Sequence, residues 1–304
     1  MSLGRAAAYR LLGGGTDYLL HLRPAEWPIM AAHTAVGYLL ATGLDRALQP
    51  ERLGPGLLGI ALWVICLNGG TLALNSAYDR DEGDVAYLRN PPPPPAGLAG
   101  VSLGLMAAGQ LLALLLPWRF AAAYALCLVL SVLYSVPPVR LKAVAGADWV
   151  INMWGFGTLT PFAGYAATGL PFDGPRLLVL LAFCPLFAAL YPLTQLYQIE
   201  EDTGRGDRTL AVVLGVQRSL DVAIGSVLLG FALFGLAGMT GWGAGEGRWG
   251  WGLLGVALAA WAAVLLPWRA GHRRFAAADH QRGMYRALGA WAVTDLVVLL
   301  AWAT

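Results

Sequence analysis

Charge is what this chain has least of: 12% of its 304 residues are charged, against 58% that are hydrophobic. That is too little charge to clothe a soluble domain of this size. Cysteine is almost as scarce, with Cys66, Cys127 and Cys184 each alone in a separate apolar run and no CxxC spacing. This excludes a disulfide framework or thiolate metal centre and reads as three small core residues. There are four histidines. His33 has no second histidine at ligand spacing, so it reads as a helix-packing residue. The net charge of +2 leaves no basic surface for nucleic acid. The first 25 residues carry Arg5 and Arg10 but no apolar core followed by a small-residue cleavage site, so no cleaved signal peptide is expected. This arm is expected to lie on a membrane surface.

Apolar runs of bilayer-spanning length are abundant, and the mean hydropathy is +0.60. They predict an all-α integral membrane protein with about nine transmembrane helices, at 29–44, 57–74, 97–116, 120–136, 149–170, 177–197, 220–242, 249–266 and 288–302. One domain over 1–304 is expected. With the N-terminus inside, only Arg46, Arg52, Arg119, Arg176 and Arg248 of the 20 Lys and Arg residues fall outside. The remaining fifteen (20 − 5) lie on the cytoplasmic side, which sets the orientation. The expected setting is a bacterial inner membrane.

Against that apolar background, eight of the 18 acidic residues crowd into two short stretches. One holds Asp79, Asp81, Glu82 and Asp84 and the other Glu200, Glu201, Asp202 and Asp207, each following a long apolar run on the predicted cytoplasmic side. Asn75 and Asp79 are four apart on a helix and Asn68 lies two turns earlier on the same stripe, so their oxygens can converge on one cavity. Oxygen ligands at helix ends suit Mg²⁺, which keeps several waters and is held by one or two carboxylates together with substrate phosphates. Two facing clusters would hold a diphosphate between them. Solvation, or pairing with Arg80 and Arg205, is the plainer account of either cluster taken alone. Arg140, Lys142, Arg205 and Arg208 are placed to meet phosphate oxygens, although topology alone also puts bases there. Arg89 and Asn90 lead into five prolines at 91–95, a stiff segment that serves as a lid edge or only as a spacer. Asp148, Asn152, Tyr191 and Thr194 are polar groups in the cytoplasmic halves of two spans, and Asp295 in the last span reads as a helix-pairing group.

The combination resembles the UbiA-type intramembrane prenyltransferases. Four features carry the resemblance: the span number, Asn75-x3-Asp79 with a following Asp, Tyr134-Ser135-Val136-Pro137-Pro138-Val139-Arg140-Leu141-Lys142, and Glu201-Asp202-x3-Gly206-x2-Thr209. The resemblance implies a bundle around a central cavity open to lipid, with Mg²⁺ and an isoprenyl diphosphate at the cytoplasmic side. It implies transfer of the isoprenyl group to a hydrophobic, ring-containing acceptor. On these residues it implies catalytic roles for Asn75, Asp79 and Asp202. Asn68, Arg89, Arg140, Lys142, Gln198 and Arg208 would bind substrate, and Asp79, Asp81, Asp84, Glu201 and Asp202 would hold metal. The chain departs from the family pattern at Ser76, at Gln198 in place of the second motif's first Asp, and at Asn90-Pro91 in place of Asn-Arg-Pro. A prenyl diphosphate cyclase or hydrolase, or a polyprenyl-lipid carrier or transporter, stays open as an alternative.

Overall fold

The computed structural model describes residues 3–79, 88, 90–242 and 247–303. Asp81, Asp84 and Arg89 therefore lie outside the described residues. Two short helices, α1 (Leu3–Leu12) and α2 (Gly15–His21), form an N-terminal arm. It is tied to the proline segment: the Arg5 guanidinium donates to the Asn90 carbonyl at 2.8 Å, the Tyr18 hydroxyl donates to the Ala96 carbonyl at 2.7 Å, and His21 Nε2 meets the Pro92 carbonyl at 3.2 Å.

The longer helices are α3 (Trp27–Thr42), α4 (Pro50–Asp79), α5 (Leu98–Ala113), α6 (Trp118–Ser135) and α7 (147–167). They continue as α8 (Gly174–Gly204), α9 (Leu210–Gly241), α10 (Gly247–Gly271) and α11 (Ala277–Trp302). Six helices among the described residues are long and apolar enough to cross a membrane. The expected spans at 29–44 and 97–116 correspond to helices of 16 residues each. The expected span at 149–170 corresponds to α7, which changes winding in mid-course. In α4 the stretch Leu62–Gly69 and in α7 the stretch Met153–Leu159 are wound as π-helix.

Several helices outrun their apolar segments. Residues 277–287 at the start of α11 are polar enough to escape a hydropathy reading, yet Asp279 Oδ2 accepts from the Ala276 amide at 3.0 Å and opens the helix there. Outward-facing Leu115, Trp118, Met239 and Trp249 are at least 73% exposed, an apolar exterior that suits lipid.

Buried side chains form two cores. One joins α8 to α11 and includes Phe183, Phe234, Trp261 and Trp291; the other joins α4, α5, α6 and the end of α7 around Trp63, Phe120 and Tyr124. Glycine lets α7 sit between them. A Cβ on Gly164 would collide with the Thr34 carbonyl of α3, and one on Gly37 with the Pro161 carbonyl. On the other side, a Cβ on Gly157 would lie 2.5 Å from the Phe183 carbonyl of α8. Small residues at such crossings let backbones touch where lipid supplies no hydrophobic drive.

Candidate active site

A cavity of about 640 Å³ opens between the two cores. Its polar end is lined by Asn68, Asn75 and Asp79 of α4, Arg140 and Lys142 of the loop after α6, and Gln198 and Asp202 from the end of α8. Away from these, Trp63, Phe156, Phe187 and Trp291 line it with rings. Phe156 and Phe187 stack at 5.2 Å, and Trp291 stands edge-on to Phe187 at 5.8 Å.

The first cluster is built by a turn. Tyr134 to Lys142 carries the chain out of α6 through a cis Pro137-Pro138 bond, and Arg140 takes the left-handed conformation at φ 37°. A non-glycine residue is costly there unless its surroundings hold it. The turn delivers two bases to one carboxylate: Arg140 Nη2 lies 3.2 Å from Asp79 Oδ1, and Lys142 Nζ is ion-paired with the same oxygen. Lys142 Nζ also donates to Asn75 Oδ1 at 2.9 Å. Asn75 and Asp79, four apart, thus share one ammonium, and all four side chains face the cavity.

The second cluster explains its own spacing. Helix Ile199–Arg205 ends at Gly206, which caps it in the left-handed conformation at φ 78°. The chain can then reverse so that the Asp207 amide donates to the Asp202 carbonyl at 2.9 Å and the Thr209 hydroxyl donates to Asp202 Oδ2 at 3.3 Å. Asp202 is buried yet lines the cavity together with Asp207 and Thr209. Glu201 and Arg208 are exposed and are not among the lining residues.

Sequence reasoning missed one part of the lining. Arg23 and Glu26, in the turn before α3, are buried and line the cavity. Arg23 is also held at φ 50°. Burial pushes the Glu26 carboxyl above the usual carboxylate range, against the pull of the Arg23 guanidinium and the neighbouring Asn68. Among the described residues, the buried Asn68 Nδ2 has no hydrogen bond of good geometry. The missed signal was a base and an acid three apart just before an apolar run, which positive-inside topology explains away. Cys127, read as core, is buried but also lines the cavity.

His33 and Asp295 turn out to be each other's partners: His33 Nδ1 lies 3.1 Å from Asp295 Oδ1, and His33 Nε2 meets the Gly157 carbonyl at 3.2 Å. The pair ties α3, α7 and α11 together at the cavity wall. Asp295→Asn is therefore expected to lower the melting temperature of the purified protein while leaving the Mg²⁺ concentration for half-maximal activity unchanged within about two-fold. A shift in the metal requirement as large as that of a substitution at Asp79 would place Asp295 in the site instead.

The donors at the polar end are oxygens: the side chains of Asn75 and Asp79 from α4 and of Gln198 and Asp202 from the end of α8. No group of three or more His, Cys, Asp or Glu assembles for a metal among the described residues. Such a set fits a hard cation completed by water and phosphate oxygens rather than a cage made wholly of protein. Lys142 and Arg140 beside it fit the phosphate.

Bases and oxygen donors share one cavity with aromatic rings within an apolar helical bundle, giving a membrane-embedded site with a charged end and an apolar end. The chain belongs to the UbiA prenyltransferase family, whose model matches residues 30–289. It is 30% identical over 228 residues to digeranylgeranylglyceryl phosphate synthase of Natronomonas pharaonis, spanning 73% of this chain and 78% of that protein. It is 29% identical over 226 residues to a probable chloroplastic homogentisate phytyltransferase 2 of Oryza sativa subsp. japonica, spanning 66% of this chain and 58% of that one. A UbiA homolog from Archaeoglobus fulgidus, solved bound to DMAPP and Mg²⁺, has the same fold with TM-score 0.64 and 20% identity, over 91% of this chain and 98% of that one. A solved structure described for the biosynthesis of digeranylgeranylglyceryl phosphate synthase in membranes aligns with TM-score 0.69 and 15% identity, over 94% and 98% of the two chains. The protein is an integral membrane prenyltransferase.

Proposed function

We propose that the protein transfers an isoprenyl group from its diphosphate to a hydrophobic acceptor in an Mg²⁺-dependent reaction, releasing diphosphate. The observation that carries this reading is the single cavity that joins Asp79, Lys142 and Asp202 to the rings of Phe156, Phe187 and Trp291. Such a space takes a charged head at one end and a prenyl chain along the other. Asn75, Asp79, Gln198 and Asp202 would hold the cation, which when bound supplies positive charge against the departing diphosphate.

The chain's own residues do the remainder. Lys142 and Arg140, paired with Asp79 in the absence of substrate, meet the diphosphate oxygens and stabilise the negative charge that grows as the C1–O bond breaks. The aromatic walls exclude water from the allylic cation and hold it by their ring faces. Asn75 keeps Lys142 aimed at the head group. The relatives' names, one a glyceryl phosphate synthase and the other a homogentisate phytyltransferase, support an amphipathic acceptor with a polar end. We place the polar end at the rim on the cytoplasmic side, where Arg23 and Glu26 line the same cavity as the bases.

The test is diphosphate release from radiolabelled geranylgeranyl diphosphate by the purified protein in lipid, with and without Mg²⁺, across ring-containing and glyceryl lipid acceptors. Metal- and acceptor-dependent release with a prenylated product is expected. Release that ignores the acceptor would identify a cyclase or hydrolase, and tight prenyl-lipid binding without release would identify a carrier.

A further inference from the structure

The mechanism above leaves one proton unassigned. An acceptor hydroxyl that attacks the allylic carbon must lose its proton, and at the rim Asp79 is already engaged by two bases, Gln198 is neutral and Asp202 would be committed to the cation. A different carboxylate has a route to the cavity. Asp148, at the start of α7, is fully buried and is not itself a lining residue. Its Oδ1 accepts from the Gly146 amide at 2.9 Å, and its Oδ2 accepts from the Tyr191 hydroxyl and from Gln195 Nε2, each at 3.3 Å. All three donors are neutral, and no ion pair to Asp148 occurs among the described residues. Buried carboxylates ordinarily have a cationic partner or a task.

The hydroxyl chain has a direction. Tyr191 spends its only proton on Asp148, so in the 3.2 Å contact between the Tyr134 and Tyr191 hydroxyls Tyr134 is the donor. Tyr134 and Tyr191 both line the cavity; the Tyr134 oxygen accepts from Asn152 and keeps a second lone pair as an acceptor. Asn152 braces the array from the other side, with its Nδ2 donating to the Asp148 carbonyl at 2.7 Å. Gln195 is fixed in turn, its Oε1 accepting from the Ala211 amide at 3.1 Å. Catalytic hydrogen bonds are commonly long before substrate is bound and tighten with it.

We propose that Tyr134, Tyr191 and Asp148 form a proton relay that deprotonates the hydroxyl of the acceptor during prenyl transfer. The proposal rests on the transferase reading and narrows it to acceptors that react through an O–H group. As the C1–O bond to diphosphate breaks, its electron pair leaves with diphosphate, and a lone pair of the acceptor oxygen forms the new C1–O bond. The acceptor proton passes to the Tyr134 oxygen, the Tyr134 proton to Tyr191, and the Tyr191 proton to Asp148 Oδ2. The products are a prenyl ether, diphosphate and a neutral Asp148, which returns its proton along the same chain to water when product leaves. Tyr134 touches the substrate in this scheme, whereas Tyr191 and Asp148 act through it.

The experiment compares Asp148→Asn and Tyr191→Phe with the unmodified full-length protein in lipid, using geranylgeranyl diphosphate, Mg²⁺ and a hydroxyl-bearing acceptor. Prenyl ether, prenyl alcohol and diphosphate are measured together. Both variants are expected to lower the ratio of ether to total diphosphate released at least ten-fold, with prenyl alcohol replacing ether and total release falling less than three-fold. A merely structural role would move release and ether formation in parallel, and that result would overturn the relay. So would an unchanged ratio in folded Tyr191→Phe, which leaves the Gly146 contact of Asp148 intact and decides the matter alone if Asp148→Asn does not fold. If the unmodified protein forms no prenylated product with any acceptor, the transferase reading fails and the relay with it. Transfer with unaltered partition in the variants removes the relay only.

Discussion

Asp202→Asn lowers Mg²⁺-dependent diphosphate release by at least about 10²-fold, the scale seen when one preplaced electrostatic partner of a developing charge is removed, and the protein still folds. The substitution keeps the shape of the side chain and an oxygen able to accept from Thr209, which is 3.3 Å from Asp202 Oδ2. The reversal at Gly206 and the Asp207 amide bond to the Asp202 carbonyl are backbone features and survive. What disappears is a negative charge lining the same cavity as Asp79, so the loss falls on the metal and diphosphate rather than on the fold. The check is a kinetic titration with Mg²⁺ alongside a thermal melt. A melt shifted by many degrees together with activity that recovers at lower temperature would mean that Asp202 holds the helix end rather than the ligand.

The second large effect is on stability. Gly164→Ala destabilises the protein by at least about 3 kcal/mol, the upper part of the usual overpacking range, because the added methyl meets a main-chain carbonyl and no side chain can rotate away. The Cβ would collide with the Thr34 oxygen where α7 crosses α3, and the reciprocal contact of Gly37 with the Pro161 carbonyl keeps the two helices from sliding apart to relieve it. Gly225→Ala is the matched control: it lies in α9 with nothing within 4 Å of its added Cβ, and helical propensity favours alanine there by up to about 1 kcal/mol. Melting curves in detergent separate the two. Equal melting temperatures for both variants would show that α3 and α7 do not cross as closely as described.

The apolar architecture was legible because membrane helices announce themselves by length and hydropathy, and the family by Asp79, Lys142, Asp202 and their spacings. What stayed illegible has particular causes. Helix ends ran past their apolar segments at α9 and α11, since hydropathy sees only the part in lipid. Gly215, within α9, breaks the helical path at φ 73°, and nothing in the surrounding run of Leu and Val signals it. Arg23 and Glu26 were passed over because bases before a first span are expected on topological grounds, and only the fold turns them inward. Asp148, Tyr191 and Asn152 were noticed one by one as polar residues in apolar helices. That they meet around a hydroxyl chain depends on how α6, α7 and α8 are rotated about their axes, which a single sequence does not encode locally. Asp81, Asp84 and Arg89 lie outside the described residues, so the expectations placed on them rest on the family pattern.

The π-wound stretches carry a consequence for reading chains of this kind. In a regular helix, residues five apart diverge by about 140°, whereas i→i+5 bonding brings them nearly into line. In α4 the π-wound stretch carries Trp63, Leu67 and Asn68 of the cavity wall, and the wall continues through Thr71, Asn75 and Asp79 at steps of four. A regular helix stepping by four drifts about 40° per step, and the wider π turn takes up part of that drift, so one face of α4 stays on the cavity from Trp63 to Asp79.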